Sequence, residues 1–177
     1  MTQISVRAER EYIVEIASDW KESLLKTCEG RERVALIISE NFADRVADLD
    51  LGSCELFTFA ISDGEAGKSA DTLIKIWNWL GAAGFTRTDL IVGLGGGAVT
   101  DFAGFAAATW LRGLDWIAIP TTVAGAVDAA IGGKTAINSD YGKNLVGAFH
   151  SPIKVIIDLT WLTTLSDRDF AAGLAEV

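Results

Sequence analysis

The chain has 177 residues, half of them apolar, which is enough to bury the core of one domain of ordinary size. A formal net charge of −9 argues against nucleic acid or an anionic membrane as the main partner. The N-terminus lacks an apolar signal core, no apolar run reaches the roughly 20 residues of a membrane span, and the two cysteines form no metal spacing, so we expect a cytoplasmic protein with reduced thiols.

Short apolar runs alternate with amphipathic segments, which is typical of a mainly parallel sheet with helices on both faces. The first predicted elements are a strand near an edge, YIVEIA (12–17), a helix (18–30), a central strand, VALIIS (34–39), and a short helix (41–49). Next come the strand CELFTFAI (54–61), a helix (72–84), the strand LIVG (90–93), and a helix rich in small residues (98–113). The last are the strands DWIAIP (115–120) and KVIIDL (154–159) and a helix (166–177).

Three details refine this pattern. The first helix begins at a Ser–Asp cap and places Trp20, Leu24 and Leu25 on one face. Residues 121–150 are irregular and glycine-rich, which predicts an extended functional loop. The last helix begins at a capping box but reaches the final residue without a terminating signal, so we expect a truncated chain or the first domain of a longer one.

The segment GLGGGAVTD joins a strand to a helix through glycines. Gly93, Gly95 and Ala98 fit the G-x-G-x-x-G/A spacing, in which the backbone approaches a phosphate at a helix N-terminus. The alternative is a tight strand–helix turn of any α/β protein. Asp101, in the first turn of that helix, fits either a dipole-matched cap or a hydrogen-bond acceptor for a cofactor.

Two other loops follow predicted strands. In DGEAGKS, Glu65 could bind ribose hydroxyls and Lys68 a phosphate; the alternative is a solvated turn. In PTT, the hydroxyls of Thr121 and Thr122 stand at the carboxyl edge where open α/β sheets bind ligands, although a Ser/Thr turn would look the same. Both loops are therefore candidate binding segments.

VDAAIGGKTAIN and YGKN set Asp128, Lys134, Lys143 and Asn144 among small or apolar residues, where an unpaired charge is costly. These groups could bind a small anion, and a structural ion pair between Asp128 and Lys134 is the alternative. Arg112, at a helix end, fits either compensation of the helix dipole or a fork for phosphate or carboxylate. His150 is the only histidine, which favours an isolated loop imidazole over a member of a zinc cluster or a triad. The motifs G-x-S-x-G and H-E-x-x-H are absent from the sequence, which argues against a serine hydrolase or a metalloprotease.

Together these motifs resemble the N-terminal part of the 3-dehydroquinate synthase family. GGGAVTDFAGF, LRG, PTT, VDAAIGGKTAIN, GKN and FAAGLAEV follow the family's order and approximate spacing, and the resemblance runs from about residue 34 to 177. It implies a Rossmann-like NAD-binding α/β domain over 1–165. Residues 166–177 would begin a helical C-terminal domain whose remainder is missing. Where relatives often carry an acid at the end of the second strand, this chain has Ser39, with Glu40 beside it.

The resemblance also implies roles for individual residues. Those that would bind NAD are Asp63, Glu65, Lys68, Gly97, Asp101, Thr121, Thr122, Lys134, Lys143, Thr163 and Thr164. Those that would hold or act on the substrate, a seven-carbon keto-acid phosphate, are Arg112, Asp128, Lys134 and Asn144. Glu176 would be one ligand of a zinc or other divalent ion such as cobalt, and the full-length protein would form a homodimer.

The implied reaction is a phosphate-eliminating lyase reaction of the shikimate pathway, in which NAD is reduced and reoxidised within each turnover. Related sugar-phosphate cyclases and metal-dependent alcohol or glycerol dehydrogenases are alternatives. A non-catalytic nucleotide-binding domain is the alternative for the chain alone. We expect residues 1–177 alone to bind NAD weakly or not at all and to be inactive.

Overall fold

The computed structural model describes residues 2–177 as an α/β fold built on one large sheet. The strands are β1 (Thr2–Arg7), β2 (Glu11–Ala17), β3 (Arg33–Ser39), β4 (Glu55–Ile61), β5 (Leu90–Gly95), β6 (Asp115–Pro120), β7 (Lys134–Ser139), β8 (Gly142–Phe149) and β9 (Lys154–Asp158). The α-helices are α1 (Trp20–Cys28), α2 (Ala70–Ala82), α3 (Gly97–Thr109) and α4 (Asp167–Gly173). Short 3-10 turns cover Glu40–Val46, Gly64–Gly67, Trp110–Arg112, Leu159–Thr164 and Leu174–Glu176, and a π turn covers Gly125–Ala129.

The large sheet has the strand order β1-β2-β9-β6-β5-β3-β4. All neighbours from β2 to β4 pair in parallel, and only β1 runs antiparallel, against β2. This confirms the predicted mainly parallel sheet. The prediction missed β1, and β2 is therefore second from the edge.

The sheet buries both of its faces, as a parallel sheet must. Along β3, Ala35 and Ile37 point into a core shared with α2, α3 and β7. Leu36 and Ile38 point into a second core with α1 and the turns Glu40–Val46 and Leu159–Thr164. These side chains are fully buried, which confirms β3 as a central strand.

The first helix begins at the predicted cap, since the Asp19 carboxylate accepts hydrogen bonds from two first-turn amides. Trp20 and Leu24 are buried as predicted, but Leu25 is 38% exposed. The prediction for Leu25 was wrong because it follows Leu24 by one residue, about 100° around the helix. The last helix confirms its predicted cap, because Ser166 Oγ accepts from the Asp169 amide at 3.1 Å.

The small residues of α3 let it lie in close contact between the sheet and the β7–β8 hairpin. A Cβ added at Gly104 would overlap Thr135 and come within 2.8 Å of the Trp116 ring. Most of the helix is buried around its whole circumference, as expected for an apolar helix inside a fold. Its position is therefore fixed by packing on both sides.

The prediction of an irregular loop over 121–150 was wrong. The segment contains the π turn and the antiparallel β7–β8 hairpin, and the two strands of the hairpin form a separate two-stranded sheet. Seven of the eight residues of β8, all except Gly142, are exposed, so the strand lacks the alternation that sequence patterns detect. Within residues 2–177 no helix has both the length and the apolar character needed to cross a membrane.

Candidate functional site

The connections of the large sheet reverse direction between β3 and β5. The chain passes from β3 outward to β4 and then returns to β5 on the other side of β3. Such a reversal leaves a crevice at the carboxyl ends of the two strands, where open α/β sheets bind ligands. A cleft of about 780 Å³ lies there, and we call it the first cleft. Its lining includes six of the predicted site residues: Asp63, Gly97, Thr121, Thr122, Thr164 and Glu176.

The floor of the first cleft is the N-terminus of α3. Gly96 is the N-cap of this 13-residue helix and no side chain caps it. A Cβ at Gly97 would lie 2.9 Å from that of Ala129, so the close approach of the π turn requires glycine there. Free amides and the positive end of the helix dipole therefore face the cleft, an arrangement that suits an anion.

The two predicted threonines line the first cleft beside the glycine loop. The Thr121 amide donates to the Gly95 carbonyl at 2.8 Å, which ties the two loops together. Thr122 Oγ1 accepts from the Gly125 amide at 3.0 Å, so the predicted Ser/Thr turn is present as well. The turn and the ligand-binding interpretation are compatible, because both residues also line the cleft.

A second cleft of about 430 Å³ lies between α3 and the hairpin and brings together Asp101, Asp128, Lys134 and Asn144. Lys134 Nζ lies 2.7 Å from Asp128 Oδ1, so the structural ion pair considered from the sequence is present. The two side chains are 57% and 50% exposed, and an ion pair this exposed contributes little stability. Both charges thus stay accessible to a ligand.

A cluster of Lys68, Asp101 and Asn144 lies at the second cleft, which Asp101 and Asn144 line. The Lys68 side chain is 2% exposed, and its ammonium donates to the carboxylate of Asp101 and to Asn144 Oδ1. Burial raises the pKa of Asp101, and the hydrogen bond and charge of Lys68 offset this effect only in part. Lys68 is therefore neither in a solvated turn nor free in the first cleft, because its buried ammonium donates to Asp101 and Asn144.

The cluster also holds a backbone conformation that favours glycine or asparagine. Asn144 has φ = 59°, in the left-handed region. Its amide donates to Asn138 Oδ1 at 3.0 Å, and Asn138 Nδ2 donates to Glu65 Oε2 at 2.7 Å. Glu65 thus supports the hairpin, outside the residues that line either cleft.

Three other predicted residues also lie outside the two clefts. Arg112 is exposed just past the C-terminal end of α3, with φ = 66°. Lys143 is exposed on β8, next to Asn144. Thr163 faces a separate depression beside Trp161 and donates to the Thr160 carbonyl at 2.7 Å. The predicted roles of these three residues remain predictions.

The sequence interpretation missed several residues of the first cleft. Asn41 and Arg45 line it from the turn after β3, and Asp169 lines it from α4. Asn41 could have been found, since it follows a central strand at the carboxyl edge, whereas Arg45 carries no such signal. The sequence also gave no sign that Ser39 Oγ donates to Asp63 Oδ1 at 2.8 Å.

The metal prediction rests on Glu176, which is exposed at the rim of the first cleft. Over residues 2–177 no group of three or more His, Cys, Asp or Glu side chains is placed to hold a metal ion. A catalytic zinc takes three protein ligands. The residues present therefore do not form a metal site by themselves.

The mainly parallel sheet and the glycine loop at its crevice define an α/β domain of the Rossmann-like class. Residues 58–172 match the family model described as 3-dehydroquinate synthase N-terminal. The chain belongs to this family. It is 45% identical over 187 aligned residues to the 3-dehydroquinate synthase of Mycolicibacterium vanbaalenii, an alignment that covers 100% of this chain and 51% of that protein.

Solved structures agree with this assignment. One is 2-deoxy-scyllo-inosose synthase in complex with carbaglucose-6-phosphate, NAD+ and Co2+, with 26% identity and a TM-score of 0.86 over 98% of this chain and 49% of that one. Another is 2-epi-5-epi-valiolone synthase from Streptomyces hygroscopicus with NAD+ and Zn2+ bound, with 28% identity and a TM-score of 0.84 over 97% and 49%. The predicted Rossmann-like fold is thereby confirmed. The chain spans about half the length of the proteins it matches.

Proposed function

We propose that this chain is the NAD-binding part of a 3-dehydroquinate synthase. The complete enzyme converts 3-deoxy-arabino-heptulosonate 7-phosphate into 3-dehydroquinate and releases phosphate. One observation carries the proposal: α3 borders both clefts, with Gly97 in the first and Asp101 in the second. Residues four apart lie on one face of a helix, so a ligand at the helix N-terminus and a ligand beside the hairpin are neighbours.

The first cleft suits NAD on three grounds. The uncapped N-terminus of α3 offers amides to a pyrophosphate, Asp63 offers a carboxylate to ribose hydroxyls, and Thr121 and Thr122 line the same cleft. Bound NAD supplies a hydride acceptor. The two solved relatives carry NAD+. The residues of this chain hold the dinucleotide against the second cleft.

The second cleft suits a small phosphorylated acid. Lys134 presents an exposed ammonium for an anionic group, Asp128 keeps that ammonium oriented, and Asn144 offers an amide nitrogen while its oxygen binds Lys68. This mixture of a cation, an acid and an amide can bind both an anion and hydroxyl groups. Arg112 is proposed as a further anion-binding residue on the basis of the resemblance.

The proposed metal requires ligands beyond this chain. Glu176 supplies one carboxylate at the rim of the first cleft. The solved relatives contain Co2+ or Zn2+. We assign Glu176 as one ligand of such an ion, and the remaining ligands and the steps at the metal belong to the other half of the complete enzyme.

The assembly and location are also proposals. We propose a homodimer of the full-length enzyme, because β8 pairs with β7 alone among the described residues and exposes Leu145 at 63% and Phe149 at 77%. A cytoplasmic location, without nucleic acid or membrane as partners, fits the acidic charge and the two free, buried cysteines.

The test joins residues 1–177 to the C-terminal half of the Mycolicibacterium vanbaalenii relative. We expect the chain alone to bind NAD weakly and to release no phosphate from the heptulosonate phosphate, and the joined protein to release it. Lys134→Met should abolish release in the joined protein. The matched control, Lys26→Met, removes an exposed charge outside both clefts and should leave release unchanged.

Two results would contradict the proposal. Phosphate release by residues 1–177 alone would show that the second half is not required. A folded joined protein that binds NAD but stays inactive would argue for a different reaction, such as that of a related sugar-phosphate cyclase.

A further inference from the structure

The segment Trp110–Gly113, which we call the arginine turn, has a strained backbone. Leu111 has φ = 47° and Arg112 has φ = 66°, and Gly113 follows with φ = 119°. Only glycine adopts positive φ readily, because in other residues the Cβ comes too close to the following carbonyl oxygen. Two consecutive residues with side chains persist there only where the surrounding structure holds them, and such positions cluster at ligand sites.

The interactions of Arg112 within the chain do not account for this strain. The residue is exposed, and among residues 2–177 it forms no ion pair. An exposed guanidinium without a carboxylate partner keeps its donors for a ligand, and their planar arrangement matches phosphate and carboxylate groups. What holds the arginine turn must therefore lie elsewhere in the fold.

His150 ties the arginine turn to the core. Its ring Nε2 lies 2.7 Å from the carbonyl oxygen of Leu114, two residues after Arg112. A carbonyl oxygen only accepts, so Nε2 carries the proton and donates. The His150 carbonyl in turn accepts from the indole Nε1 of Trp116 at 2.9 Å, and Trp116 is 1% exposed. A buried neighbour thus fixes His150, and the imidazole fixes the end of the arginine turn.

The same residue is bonded to the loop that carries Lys134. The His150 amide donates to the Gly133 carbonyl at 2.8 Å, one residue before Lys134. Gly133 has φ = 69°, and a Cβ there would lie 2.8 Å from the Ser151 amide nitrogen, so this close approach requires glycine. The segments that carry Arg112 and Lys134 therefore meet at His150.

We infer that His150 is a positioning residue, whose imidazole holds the arginine turn so that Arg112 is presented to an anionic group of the substrate at a fixed place relative to Lys134. The inference rests on the proposed function, which assigns both cations to the phosphorylated acid. The ring acts through the Leu114 carbonyl and not by contact with the ligand. A donor ordered in advance binds more tightly, because less conformational freedom is lost on binding.

Two substitutions separate this role from simple packing. His150→Gln keeps an N–H donor at about the reach of the imidazole Nε2, whereas His150→Leu fills space without a donor. The bond from the His150 amide to the Gly133 carbonyl belongs to the backbone, so both variants keep the link to the loop of Lys134. A difference between the two variants therefore reports on the arginine turn.

The first experiment uses nitrogen NMR of residues 1–177, in which His150 is the only histidine. At alkaline pH we expect the neutral ring to carry its proton on Nε2. The Leu114 amide, which donates to the Ala107 carbonyl at 2.9 Å, should exchange its hydrogen faster in His150→Leu than in the parent or in His150→Gln. A proton on Nδ1 instead, or equal exchange in all three proteins, would overturn the inference.

The second experiment measures phosphate release by the joined protein. His150→Leu should raise the KM for the heptulosonate phosphate about tenfold, which corresponds to about 1.4 kcal/mol, a loss of the size expected for a hydrogen bond to a charged group. The kcat should change little, because an anchor for the anion acts equally in the ground state and the transition state. His150→Gln should restore most of the parent KM. A merely structural role would lower the fraction of active protein and thus kcat alone, which would overturn the inference.

A double variant shows whether His150 acts through the arginine. Arg112→Met should raise KM, and His150→Leu added to it should raise KM little further, because both changes remove one contact. Lys26→Met is the control and should keep the parent KM. Fully additive effects would overturn the inference and leave the proposed function in place. An inactive joined parent would contradict the proposed function, and the NMR experiment would still decide whether His150 holds the arginine turn.

Discussion

The Lys68→Met substitution tests the cluster of Lys68, Asp101 and Asn144. The Lys68 and Asp101 side chains are 2% and 14% exposed, so the small energies of surface ion pairs do not apply to this pair. Methionine keeps the apolar length of the side chain and leaves the carboxylate without a cation. Removing one partner of a buried pair costs about 3–5 kcal/mol. For a domain of this size the Tm should fall by about 6–20 °C, at about 2–4 °C per kcal/mol.

The stability lost in the Lys68→Met variant should depend on pH. Burial already raises the pKa of Asp101, and removal of the Lys68 ammonium raises it further. A carboxyl group whose folded pKa exceeds its unfolded pKa contributes most stability when protonated, and the contribution is lost as the pH rises through the folded pKa. The variant should therefore recover part of its lost stability as the pH falls from about 7 to about 5.

Urea unfolding followed by tryptophan fluorescence measures both effects, since the chain has six tryptophans. Lys26→Met is the matched control, because its ammonium lies in an exposed pair with Glu22, 2.6 Å away, and should not shift the midpoint. If Lys68→Met loses no more unfolding free energy than the control, the reasoning is refuted. It is also refuted if the difference in unfolding free energy from the parent chain grows as the pH falls.

Three further predictions concern the packing and the titration of buried groups. Gly104→Ala should destabilise the fold by about 1–3 kcal/mol by overlap with a buried tryptophan, and an unchanged urea midpoint would contradict this. Burial opposes ionisation of Glu15, but hydrogen bonds from Ser23 and Lys154 lower its pKa from 4.5 to about 2. The stability of the fold should therefore fall as the pH drops below 4.5, and Glu15→Gln should weaken this pH dependence. An unchanged pH dependence of stability in Glu15→Gln would count against this prediction. Burial raises the pKa of Cys28 to about 12, so a thiol reagent should label it only after unfolding, and rapid labelling of the native protein would disprove this.

The strands of the large sheet could be predicted because their burial leaves a clear pattern. β3 is apolar throughout since both of its faces are covered, and β6 ends at the predicted Pro120. The hairpin was missed for the opposite reason, because β8 is exposed along most of its length. Three of its eight residues, Gly142, Gly147 and Ala148, are also small. β1 was missed because a short exposed edge strand has little apolar content.

The candidate site was predictable as a set of segments, but its pairings were not. The sequence indicated Lys68, Asp101 and Asn144 separately, yet 33 and 76 residues separate Lys68 from its two partners. No local pattern encodes such contacts, because they arise only when α3 and the hairpin pack against the turn that precedes Lys68. The contact of Ser39 with Asp63 is a further example, since it depends on the adjacency of β3 and β4.

The tight packing of α3 has a consequence for how this fold can diversify. Since the helix has no space to shift against the sheet or the hairpin, the separation between the two clefts that it borders is constant in the folded protein. If the second cleft binds a substrate as proposed, a change in the size of that substrate must be accommodated by the outer strand β8, whose side chains can be replaced at little cost to the core. We expect substitutions on β8 to alter which acid is accepted while leaving the dinucleotide geometry intact.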